Sequence, residues 1–85
     1  MLDETQMRER LRRFLAAEIL LGRAAEEIGE DEDLVALGLD SLSVLRLLLF
    51  LETEFGVSLD GEDVLGDELA TVRAIAARCA AARES

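Results

Sequence analysis

The chain contains no histidine, lysine, tyrosine, tryptophan or proline, and its only cysteine is Cys79. Without histidine, lysine or tyrosine, the usual general bases and oxyanion-stabilising side chains are mostly missing, so the chain is not expected to be an enzyme. Without histidine the common zinc sites are excluded, and no metal site is expected. A lone cysteine rules out an intramolecular disulfide and reads as a small helical residue in a reducing compartment rather than a reactive thiol. Three phenylalanines are the whole aromatic content, so the core must be aliphatic. Long apolar runs are lacking too. The first twenty residues, "MLDETQMRERLRRFLAAEIL", carry charges throughout, and Arg46 and Glu52 interrupt the longest greasy stretch well short of a membrane span. The expectation is a cytoplasmic protein with no membrane contact.

What is present suits a small helical domain. The chain has 85 residues, of which 51% are hydrophobic. That is enough apolar material for one core and one domain, residues 1–85. The missing proline, and glycines placed mostly between periodic segments, favour an all-α bundle. The formal charge is -10, and all nine basic residues are arginine. Such a field repels nucleic acid and attracts enzymes with basic docking surfaces. A monomer that binds no nucleic acid is expected.

Apolar residues at Met7, Leu11, Phe14, Leu15 and Glu18/Ile19 follow the three-and-four spacing of one helix face and predict a first helix over about 5–21. Asp3 or Thr5 would cap it and Gly22 would stop it. A long connection follows, with Glu26, Glu27, Glu30, Asp31, Glu32 and Asp33 clustered on it. Ile28, Leu34, Leu37 and Leu39 are spaced to hold it on the core. The acids do not form a calcium loop, because Val35 and Ala36 stand where an oxygen ligand and a glycine are needed. A second helix is predicted over about 41–55, a short third over 61–65 and a last over 71–83, giving a four-helix bundle with three main helices.

The second helix has two apolar faces. Val44, Leu47, Leu48, Leu51 and Phe55 make an ordinary core stripe. Leu42, Leu45 and Leu49 make another, roughly 140° away at 3.6 residues per turn. Arg46 lies beside this second stripe, and Ser43 and Phe50 at its flank. In so small a bundle one helix cannot be covered all round. The second stripe is therefore either a contact surface or lies beneath the acidic connection.

Asp40-Ser41 opens this helix. Read locally, the pair is an ordinary N-cap. The same position also suits an anion, because unsatisfied N–H groups and the positive end of the helix dipole meet there. A phosphate on the Ser41 hydroxyl would be favoured. Asp40 near its ordinary pKa is a poor base for an alcohol, so any chemistry at Ser41 must be performed by another protein.

The segments "LGLDSL", "ETEFGVSL" and "LATVRAIA", in that order and near that spacing, resemble the carrier-protein family of acyl carrier proteins and their peptidyl relatives. The resemblance spans about Met7 to Ala81. It implies a four-helix bundle with one short helix. It also implies a 4'-phosphopantetheine arm on Ser41, attached from coenzyme A by a phosphopantetheinyl transferase, with the arm's thiol holding a thioester. Asp40 matches the acidic residue associated with that transfer and its metal ion. Leu42, Leu45 and Leu49 match partner-contacting positions, with Arg46 among them. Leu47, Leu48, Leu51 and Phe55 match core positions lining the space where fatty-acid carriers can hide an acyl chain. Partners of the acyltransferase, ligase or ketosynthase type are implied. Two departures point away from housekeeping fatty-acid synthesis. Ser43 and Arg46 stand where such carriers place carboxylates, and the segment 60–70 is about two residues longer. A discrete carrier of a specialised, polyketide-like pathway is expected, and Leu39 before Asp40 favours an acyl load. An aminoacyl or peptidyl carrier, a fatty-acid carrier, and an unmodified helical adaptor using only the leucine stripe are the alternatives.

Overall fold

Asp3 starts the first helix. Its carboxylate accepts the Gln6 N–H at 2.8 Å while the Gln6 side chain accepts the Asp3 N–H at 2.9 Å. This reciprocal pair satisfies two donors that a helix start leaves open. In the computed structural model, which describes residues 2–61, 64 and 70–84, helix α1 runs over Glu4–Phe14. It continues into a π-helical turn, Leu15–Ile19, closed by the Leu20 N–H on the Leu15 carbonyl at 2.6 Å. The wider turn takes up one extra residue. The buried series is therefore Met7, Leu11, Leu15 and Leu20. Ile19 is only half-buried and Glu18 is exposed, whereas a regular α-helical period places Glu18/Ile19 on the inner face.

The connection that follows is not bare loop. It holds a 3-10 turn at Ala25–Glu27 and a short helix, α2, at Leu34–Leu37. Asp33 caps α2 by accepting from the Val35 N–H at 3.0 Å. Ile28, Leu34 and Leu39 are buried, as their spacing predicts, and Leu37 is half-buried.

Helix α3 spans Ser41–Phe55 and α4 spans Val72–Glu84. Gly56, in the left-handed region at φ 68°, ends α3, and its N–H reaches the Glu52 carbonyl at 3.0 Å. Such a backbone turn carries little cost only for glycine. The Thr71 hydroxyl accepts the Ala74 N–H at the start of α4. Of the short helix expected at 61–65, Gly61 and Val64 have helical backbone. The rest of that stretch, and most of the lengthened 60–70 segment, lies outside the described residues.

The result is an all-α bundle with one core. Helix α1 packs along α4. Val44, Leu47, Leu51 and Phe55 of α3 meet Val72, Ile75, Ala76 and Cys79 of α4 together with the α1 series. Leu48, expected in the core stripe, is half-buried at its edge. No helix among the described residues is long and apolar enough to cross a membrane.

The acidic connection is fastened to α1 and to the start of α4. The Leu34 N–H reaches the Ala70 carbonyl at 2.7 Å, and the Arg73 N–H reaches the Glu30 carbonyl at 2.9 Å. The Arg73 guanidinium pairs with Asp31 at 2.8 Å and Glu30 at 3.1 Å. Arg8 of α1 pairs with Glu30 at 3.1 Å from the other side. Glu27 and Glu32 accept the N–H groups of Ala24 and Gly29. These carboxylates are thus occupied by arginines and backbone, and among the described residues no group of acids is arranged to hold a metal ion.

Candidate functional site

The geometry at the start of α3 follows from three consecutive residues. Gly38 ends α2 at φ 122°, a left-handed backbone that strains any side chain. Leu39 is then buried, and its N–H returns to the Leu34 carbonyl at 3.0 Å. Anchored on both sides, the chain leaves the core at Asp40 in extended conformation and enters α3 at Ser41.

Asp40 is the cap. Its carboxylate accepts the Ser43 N–H at 2.8 Å, and its carbonyl accepts the Val44 N–H at 2.9 Å. Hydrogen bonds from Ser43 hold the Asp40 carboxyl below the ordinary aspartate value. A carboxylate stabilised in its charged form is a weaker proton acceptor.

Ser41 occupies the first position of α3 and is exposed. Among the described residues no hydrogen bond to its hydroxyl is formed. A fifteen-residue helix stands behind it, presenting open N–H groups and a partial positive charge at this end. A phosphate ester on Ser41 would meet donors rather than a wall, and the residues present fit such a group.

Leu42, Leu45 and Leu49 project from the outer face of α3 at 70%, 64% and 64% exposure. The acidic connection does not lie over them. Three and four residues apart, they form one ridge about 10 Å long that begins beside Ser41. Leu21 and Val35 are also exposed. Their single apolar positions outside any long helix give no periodic signal in the sequence.

Arg46, beside this ridge, is engaged within the molecule. Its guanidinium donates to the Glu18 carboxylate at 2.7 Å and to the Glu18 carbonyl at 2.9 Å. It thereby closes the π-helical end of the first helical segment. The residue remains exposed, so the pair offers the ridge a mixed positive and negative edge. Nothing in the sequence joins positions 18 and 46, because the pairing exists only once the π turn has moved Glu18 off the inner face.

Cys79 faces the core, fully buried, and desolvation pushes its thiol up to about 11.

A family model described as "Phosphopantetheine attachment site" matches residues 6–79, and the chain belongs to that family. Its domains take up 4'-phosphopantetheine covalently and are carriers without catalytic activity of their own. They are modified by phosphopantetheinyl transferases and visited by acyl-processing enzymes. Comparisons with the curated proteins and with the solved structures gave no match.

Proposed function

We propose that Ser41 receives the arm and that the protein is a discrete acyl carrier of a specialised, polyketide-like pathway. The observation that carries this reading is the exposed Ser41 hydroxyl at the first position of α3, between the Asp40 cap and the leucine ridge. In the transfer, a bond forms between the serine oxygen and the phosphorus of the arm. The phosphoanhydride bond of coenzyme A breaks, and the nucleotide leaves. The serine proton needs a base, which this reading places on the transferase, the chain having no histidine or lysine. Asp40 then serves as a recognition and metal-associated group. Once attached, the arm supplies a thiol on which an acyl group is held as a thioester.

Leu42, Leu45 and Leu49 are the surface that partner enzymes cover in turn, with the Arg46–Glu18 pair at its margin. The absence of carboxylates at Ser43 and Arg46 favours partners other than those of fatty-acid synthesis, and an acyl load remains the preferred cargo over an aminoacyl one. Leu39 gives that preference less support than its type alone, because it is buried and its aliphatic character answers to packing.

The test is incubation with coenzyme A and a broad-specificity transferase, read by intact mass. The wild-type chain gains the mass of one phosphopantetheine arm, and Ser41→Ala does not. An unmodified wild type, or a variant modified as readily, would overturn the assignment. Intact mass of protein isolated from its native cells then identifies the load.

A further inference from the structure

A net charge of -10 favours basic visitors over most of the surface, but the seam between α1 and α3 has another character. Phe14 and Phe50 stack there with ring centroids 4.2 Å apart and planes at 17°, and Phe55 meets Phe50 edge-on at 5.6 Å. All three aromatic side chains of the protein thus form one cluster, and Phe14 and Phe50 are only half-buried. Two shallow cavities of about 250 and 410 Å³ open beside them, one toward Leu49 and the other toward Arg13.

The rim of these cavities carries Arg10, Arg13 and Arg46 against Glu18 and Glu54. Both carboxylates are already held, Glu18 by Arg46 at 2.7 Å and Glu54 by Arg10 at 3.4 Å. Arg13 is exposed and makes no ion pair among the described residues. The unfilled capacity of the seam is therefore one guanidinium that shares a cavity with the aromatic pair. A planar guanidinium binds a carboxylate through two parallel hydrogen bonds, and half-exposed rings gain from an aliphatic or aromatic cover. The seam is continuous with Leu49, the last residue of the exposed ridge.

We propose that the α1/α3 seam docks an acidic amphipathic segment of a partner protein. In that contact a carboxylate faces Arg13 and an apolar side chain covers Phe14 and Phe50. The polarity is the reverse of what the net charge favours, and it selects partners by a different rule from attraction to the acidic connection. The proposal rests on the carrier reading only for the reason that other proteins visit this face.

The experiment uses the unmodified ¹⁵N-labelled chain and two synthetic helical peptides, one of leucine and glutamate and one with lysine for every glutamate. The glutamate peptide shifts the amides of residues 10–18 and 46–54 saturably, and the shifts fade as salt screens the contact. Arg13→Glu, shown to be folded by circular dichroism, weakens that binding about tenfold. The lysine peptide binds elsewhere, on the carboxylates. The proposal is overturned if the lysine peptide occupies the seam equally well, if Arg13→Glu binds unchanged, or if the glutamate peptide moves only Leu42 and Leu45. Ser41→Ala binds the glutamate peptide like the wild type, so a failed arm transfer and a failed seam contact are separate results.

Discussion

The acidic connection and the outer face of α3 differ in a way opposite to what their residue types suggest. The connection holds the densest charge in the chain, yet Glu27, Glu30, Asp31, Glu32 and Asp33 are taken up by arginines and local backbone N–H groups, and Ile28, Leu34 and Leu39 reach the core. The face of α3 is built from leucines, the residues most expected inside, and three of them remain largely exposed. Availability for binding is therefore set by which groups the fold has already satisfied. Charged residues here strap the molecule together, and three leucines are left open to solvent.

The largest test of this contrast is inside the connection. Leu34→Ala removes a fully buried side chain and should lower the unfolding free energy in urea by about 2–5 kcal/mol. If stability were unchanged, the connection would not be fastened as described. Leu45→Asp probes the other region. It should leave stability within about 0.5 kcal/mol of the wild type while slowing arm transfer and thioester exchange with partner enzymes. A large loss of stability would mean that the ridge is structural. The smallest effect concerns acid. Asp31 and Asp40 are both held below the ordinary aspartate value, Asp31 by its hydrogen bond to Arg73 and Asp40 by those from Ser43. A carboxyl whose folded pKa is lowered contributes stability above its unfolded value and loses it as pH falls through the folded one. Urea midpoints should fall once pH drops below about 4. In Asp40→Asn, which keeps a capping oxygen, that acid-side fall should be shallower. Identical profiles would remove the charge from the cap's contribution.

Much of the bundle is readable from the sequence because α1, α3 and α4 are long enough for apolar periodicity to repeat. The start of α3 is readable because an acid stands directly before a serine and a strongly patterned run. The π turn is not, since one additional residue in a single turn changes the phase without leaving a repeated signal. That phase change decides the fate of Glu18, and with it the partner of Arg46. Helix α2 is too short for any period. The two stripes of α3 follow from their angles, but whether the second stays open depends on where the connection runs, which is a tertiary fact. Leu39 shows the converse limit, because a residue type that favoured one cargo answers to burial.

Cys79 gives the cargo question a chemical side. A thioester can pass to any thiolate that reaches it, and the rate depends on the fraction of that thiol ionised and on access. An exposed cysteine on a carrier would compete with the downstream enzyme for the acyl group and strand it on the wrong sulfur. Here the one sulfhydryl of the polypeptide is enclosed by the core and pushed up to about 11. In the folded protein it is thus protonated and out of reach at neutral pH. A thioester held on the arm's sulfur would therefore find no accessible, ionised cysteine on the polypeptide itself.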